Sequence, residues 1–198
     1  MLKLTTAQCS HAGERATNED VLGVRIREHD ACFMLSDGVG GETGEGHAAK
    51  LAIRGALRQF ESSLGSSLDA LVQSSLAAAH VSIVAVQARH PERSRMAATM
   101  VGLFIDRLRG LAQWIHVGDG RLYRFRRGVL LERTMDHSLV AQLAAAGLPH
   151  DGVNPKPSEP GARSGRSSTL AAAIGTTLAR WRCLSTMYRR FLAWLAGS

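Results

Sequence analysis

Apolar positions along this chain change period several times, and each change marks an element. Leu2–Ser10 and Val21–Arg27 alternate apolar and polar residues, the two-residue period of a half-buried strand. Ala31-Cys32-Phe33-Met34-Leu35 is a continuous apolar run followed by Ser36-Asp37-Gly38. It reads as a buried strand that delivers a carboxylate to a sheet edge. The period then lengthens. Ala48, Ala49, Leu51, Ala52, Ala56 and Phe60 recur at helical spacing, which predicts a helix over Gly44–Phe60. Leu68, Leu71, Val72, Leu76, Ala79, Ile83 and Val86 do the same over Ser67–Arg89, with Ser67 as N-cap and His90-Pro91 as the stop. Four short apolar runs follow: Thr99–Asp106, Leu111–Val117, Leu122–Arg126 and Val129–Glu132. Arg-Gly, Gly-Asp-Gly and Arg-Arg-Gly turns divide them, the pattern of an antiparallel meander. A last helix is predicted over His137–Ala146, stopped by Gly147 and Pro149. Strands, two long helices, then strands again argue an α+β fold with helices packed on antiparallel sheets.

The pattern fails beyond residue 150. Four of the five prolines lie between Pro149 and Pro160, among Gly, Ser and Arg, so 151–166 reads as a linker without regular structure. Leu178, Trp181, Leu184, Tyr188, Phe191, Leu192 and Leu195 then predict an amphipathic helix over 178–195, studded with Arg180, Arg182, Arg189 and Arg190. It would pack on its own domain, on a partner or on a membrane surface. The organisation is therefore one domain over 1–150 and a divergent basic tail over 151–198.

Composition narrows the class. At 198 residues and 45% hydrophobic content, one substantial core is within reach. No apolar run reads as long enough to span a membrane, and the polar stretch after Met1–Leu4 is unlike a signal peptide. Cys9, Cys32 and Cys183 show neither zinc spacing nor a disulfide framework, which points to a reducing cytoplasm; Cys9 and Cys32 are expected as core thiols. The net charge of +7 sits mostly in the tail, where 151–198 hold seven basic and two acidic residues. A nucleic-acid module would need a patterned basic face with a groove-binding motif, and none is legible.

The chemistry is concentrated in two acidic stretches, Arg15-Ala16-Thr17-Asn18-Glu19-Asp20 and Ser36-Asp37-Gly38-Val39-Gly40-Gly41. The glycines let the backbone turn and expose a carbonyl oxygen beside Asp37. Carboxylate plus carbonyl oxygen suits a hard divalent cation, Mg²⁺ or Mn²⁺. Either stretch alone is an ordinary turn; their order and spacing are not.

With these stretches the chain resembles the bacterial form of the metal-dependent type 2C protein serine/threonine phosphatases. Three more matches follow in order: Met96-Ala97-Ala98-Thr99-Met100-Val101, then Ile115-His116-Val117-Gly118-Asp119-Gly120-Arg121-Leu122-Tyr123, then Thr134-Met135-Asp136-His137-Ser138. Gly120 stands where the family usually has Ser. The resemblance implies a β-sandwich flanked by helices and two bound Mn²⁺ or Mg²⁺ ions. It implies hydrolysis of phosphoserine and phosphothreonine by metal-activated water. It also implies phosphorylated protein partners, a kinase or its targets. Asp37 would bridge the ions and the Gly38 carbonyl would bind one of them. Glu19 and Asp20 would orient metal-bound waters, Arg15 would clamp the phosphoryl group, and Asp119 would help a further metal or cap its own turn. His116 is expected to be structural. Asp136-His137 is expected to cap the helix that follows, and His47 to lie on a helix face. The resemblance fades in the tail: Ser167–Gly175 echoes the family only weakly, and no aspartate follows Asp151. The family supplies two further metal-site aspartates there. An atypical or truncated C-terminal region therefore leaves a second reading, a non-catalytic relative that binds a partner protein.

Overall fold

The computed structural model describes residues 1–12, 18–39, 45–137, 169–173 and 180–183. Nine strands and two helices are found among them: β1 (Asp20–Ile26), β2 (Asp30–Val39), α1 (Glu45–Ser62), α2 (Leu68–Gln87), β3 (Ala97–Ala98), β4 (Met100–Asp106), β5 (Leu111–Val117), β6 (Arg121–Arg126), β7 (Val129–Arg133), β8 (Thr169–Ala173) and β9 (Arg180–Cys183). A short 3₁₀ turn, Pro91–Arg93, follows α2.

One sheet runs β1-β2-β4-β5-β9, with β3 also paired to β2; a second runs β7-β6-β8. Side-chain alternation explains the layering. Cys32, Met34, Met100, Phe104 and Ile115 point to one face of the large sheet and meet Ala52, Ile53, Ala56 and Phe60 of α1 and Leu71, Val72 and Ala79 of α2. Leu35, Val101, Leu103, Ile105, Ala112 and Trp114 point to the other face, where they meet Leu122 of β6. A sheet covered on both faces needs apolar residues at every position, which is why β4 reads as an unbroken Met-Val-Gly-Leu-Phe-Ile run. The expected α+β sandwich with helices is what forms.

Local rules fix the pieces. The Ser67 hydroxyl accepts the Ala70 N–H at 3.2 Å and caps α2. A Cβ on Gly23 would stand 2.6 Å from Ile53 Cγ2, so glycine there lets α1 settle onto β1. Arg127 (φ 51°) and Gly128 (φ 78°) make the tight turn between β6 and β7, the left-handed pair that matches strand twist.

Several expectations are corrected. Leu2–Ser10 is irregular rather than a strand. Its Leu2 N–H bonds the Arg107 carbonyl, and Leu2 and Leu4 pack on the second core, so the alternation records one apolar face without a ladder. Cys9 is exposed, whereas Cys32 is buried as expected, and burial pushes its thiol up to about 12. Leu51, Leu76 and Ile83 are half-buried rather than fully inside. Contrary to expectation, one helix, α2, is long and apolar enough to cross a membrane by length and composition. Its Leu71, Val72, Ser75 and Ala79 are nonetheless buried in the core of the fold.

The tail departs most. Within the helix predicted over 178–195, Arg180–Cys183 is a strand, and Thr169–Ala173 is another. β9 pairs in parallel with β5 and β8 in parallel with β6, so the sheets extend past residue 150. The rest of that predicted helix, the linker 151–166 and the helix over 137–146, apart from its first residue, lie outside the described residues.

Candidate active site

The N-terminal end of β1, the C-terminal end of β2, the start of β4 and the end of β5 all meet at one end of the large sheet. Antiparallel pairing sets Asp20 directly opposite Asp37. Residues so paired project to the same face with Cβ atoms about 5 Å apart. Both follow the parity of Leu22 and Leu35, so both carboxylates rise on the face that the second sheet covers. Asp37 is only 4% exposed, and Glu19 and Asp20 are half-buried.

Thr99 holds Asp37 in place. The break between β3 and β4 puts Thr99 beside the β2 strand end. Its Oγ1 accepts the Asp37 N–H at 3.0 Å, and its own N–H bonds the Asp37 carbonyl at 2.8 Å. The Ser36 hydroxyl adds a bond to the Thr99 carbonyl at 2.6 Å. Gly118 lies on the far side of Thr99. A Cβ there would stand 2.7 Å from Thr99 Cγ2, and the φ of +96° already excludes most side chains. Asp20, Asp37, Thr99 and Gly118 thus form one row across the sheet, with Asp119 next in the turn. The start of α1 borders the same end: a Cβ on Gly46 would lie 3.8 Å from Glu19 Cα.

The segment 134–137 closes over the β5–β6 turn. Thr134 exchanges two bonds with Leu122, and the His137 N–H reaches the Gly118 carbonyl at 2.9 Å. Asp136 grips the Arg121 guanidinium with both oxygens, at 2.7 and 2.5 Å. Hydrogen bonding by Arg121 holds the Asp136 carboxyl below its usual range, and the same pair raises Arg121. The Asp136 carboxylate thereby anchors the turn that carries Asp119; the helix it was expected to cap lies outside the described residues. His116 donates Nε2–H to the Met135 carbonyl at 2.7 Å and stacks on His137 with ring centroids 3.9 Å apart. Burial lowers both imidazoles, His137 to about 4, where repulsion from His116 adds to the effect.

Of the predicted site residues, the structure brings Asp20 and Asp37 together, with Glu19 beside Asp20 and Gly38 beside Asp37. Asp119 stands at the same sheet end, and His47 is exposed on α1. Arg15, Gly40 and Gly41 lie outside the described residues. Among the described residues no three His, Cys, Asp or Glu side chains gather closely enough to hold a metal ion. The Asp20–Asp37 pair does fit a divalent ion in one respect: like charges directly opposite in adjacent strands repel, and a hard cation between them relieves that. Thr99 and Gly118 were not legible as supports of the site. Both lie in segments that match the family, but nothing in the sequence tied either of them to Asp37.

The family's sequence model, Protein phosphatase 2C, matches residues 7–138. The chain belongs to this family. The protein phosphatase 2C match takes in every predicted site residue, from Arg15 to Asp119. The serine/threonine protein phosphatase PstP of Mycobacterium tuberculosis is 30% identical over 136 residues, which are 67% of this chain and 25% of that protein. The chain thus spans about a quarter of the length of the curated relatives it matches. The crystal structure of the PstP catalytic domain with two manganese ions superposes with a TM-score of 0.58 at 26% identity, covering 70% of this chain and 58% of that one. PppA of Pseudomonas aeruginosa gives 0.52 at 26% identity, covering 71% and 60%. Stp1 of Staphylococcus aureus gives 0.61 at 21% identity over 75% and 61%, a likeness of fold.

Proposed function

We propose that this protein is a metal-dependent phosphatase that hydrolyses phosphoserine and phosphothreonine in other proteins and so opposes a serine/threonine kinase. The observation that carries it is the register that sets Asp20 against the buried Asp37 at a sheet end. Mn²⁺ or Mg²⁺, of which the related PstP catalytic domain binds two manganese ions, would activate a water and hold a phosphate oxygen there. Asp37 and the Gly38 carbonyl would supply ligand oxygens, Glu19 and Asp20 would orient bound waters, and Arg15 would meet the phosphoryl oxygens with its planar fork of donors. Asp119 would serve a further ion from the β5–β6 turn. Thr99 is a positioning residue: it fixes the Asp37 backbone from both sides. The scattered cysteines support action in the cytoplasm, and the partners would be phosphorylated proteins.

The test is Mn²⁺-dependent hydrolysis of a phosphothreonine peptide by the wild type and by Asp37→Asn. Activity that rises with Mn²⁺ and falls at least about 100-fold in the variant is expected. A wild type inert at every Mn²⁺ concentration overturns the reading. It would favour the second reading, a partner-binding relative, which the lack of any aspartate after Asp151 supports.

A further inference from the structure

The two helices approach each other tightly at Gly55. A Cβ on Gly55 of α1 would stand 2.2 Å from Ser82 Oγ and 2.7 Å from the Ala78 carbonyl of α2. Beside that contact the helices leave an open groove of about 580 Å³. Its apolar lining is Leu51, Ala78, Val81, Ala85 and Val86, with Val81 63% exposed, and Gln59, Ser62 and Ser82 add neutral polar groups. Its rim is cationic. Arg54 and Arg58 stand one turn apart on α1, both exposed, and Arg89 follows α2 with its Nε donating to the Ala85 carbonyl at 2.8 Å. Among the described residues no carboxylate lines the groove, and none of these three arginines forms an ion pair. Acids on or beside the two helices are engaged elsewhere: Glu61 pairs with Arg25, Asp69 accepts from Gln113, and Glu92 pairs with His90.

We propose that this groove docks an acidic segment of a partner protein, one that places carboxylates against Arg54, Arg58 and Arg89 and an apolar side chain on Val81 and Ala85. The charge of the rim selects the occupant: three guanidinium groups without counter-charges complement an anion, and their forked geometry suits carboxylate oxygens. A bilayer fits less well. Interfacial helices insert protruding Trp, Phe or Leu, whereas the exposed apolar side chains here are Val81 and Ala85, the one Leu of the lining, Leu51, is half-buried, and three long cations surround them. The groove lies on the outer face of the helix layer and acts independently of any catalysis at the sheet end.

A fluorescein-labelled peptide with Glu along one helical face and Leu along the other is the probe. Anisotropy should show saturable binding, and amide shift changes should centre on Arg54, Arg58, Val81 and Ala85. Arg54→Glu/Arg58→Glu should weaken binding at least about ten-fold. Ala85→Trp, which fills the groove and leaves its charges, should do the same. Arg109→Glu, at the opposite end of the sheet, should change nothing. If the double charge reversal melts the fold, Arg54→Gln/Arg58→Gln takes its place with the same expectation. Four results overturn the proposal: no saturable binding, equal loss in Arg109→Glu, unchanged binding in Ala85→Trp, or phosphatidylserine vesicles that bind as tightly as the peptide and displace it.

Discussion

Asp37 stands at an energetic cost. A buried carboxylate set directly across from a second one in the adjacent strand repels it, and a divalent cation bound there, as proposed above, would relieve that repulsion. Asp20→Asn should therefore raise the stability of the metal-free protein by about 1 kcal/mol, read as an increase in Tm in EDTA. Mn²⁺ should stabilise the wild type more than the variant, because a ligand that binds the folded form shifts the midpoint in step with its affinity and Asp20 would orient its waters. Equal responses of the two proteins to Mn²⁺ would remove Asp20 from the site. Thr99→Val keeps the shape and deletes the acceptor of the Asp37 N–H, at about 1–2 kcal/mol. Its activity loss should exceed what that stability change explains if Thr99 positions Asp37. The two acids were legible in the sequence because motif and spacing announce them. Thr99 was not, because its role depends on a cross-strand register between positions 62 residues apart.

Among the elements, the helices were the most legible: α1 and α2 match their predicted spans to within a few residues, and Ser67 caps α2 as expected. Gly23→Ala would drive a methyl into Ile53 Cγ2 at 2.6 Å and lift α1 from β1. A loss of about 1–3 kcal/mol in denaturant unfolding is expected. The segment 134–137 confers a pH response. His137 titrates near 4 in the fold against an ordinary 6.5, so the unfolded chain binds the extra proton first. Stability from this group is intact above about 6.5, declines as the pH falls from there to about 4, and changes no further below. His137→Gln should flatten the Tm profile across that window; an unchanged slope would assign the loss to other groups. β8 and β9 escaped the sequence reading for a physical reason. Thr169–Ala173 lacks alternation, the Arg-Trp-Arg-Cys alternation of β9 is only four residues long and lies inside a run of helically spaced apolar residues, and parallel partners far upstream supply the order of both strands.

For the whole molecule, the sandwich leaves one hazard. β7 borders the smaller sheet, and Val129, Leu130 and Leu131 are 61%, 48% and 49% exposed along it. An apolar border strand invites pairing with another chain. Leu130→Lys/Leu131→Lys should reduce concentration-dependent light scattering without altering the Mn²⁺ response. Unchanged scattering would show that association uses another surface.

The parallel pairing of β5 with β9 also governs how the chain is made. Leu111 waits for Arg180, 69 residues further on. At bacterial translation speeds that interval lasts roughly 3–14 s, far longer than hairpins need to form. The β1–β2–β4–β5 sheet and both helices can assemble in this interval while Leu111–Trp114 presents unsatisfied backbone to the cytosol. A nascent chain stalled between these two points carries an open edge at β5 that the finished fold covers with β9, and a partner that pairs with that edge would find it there.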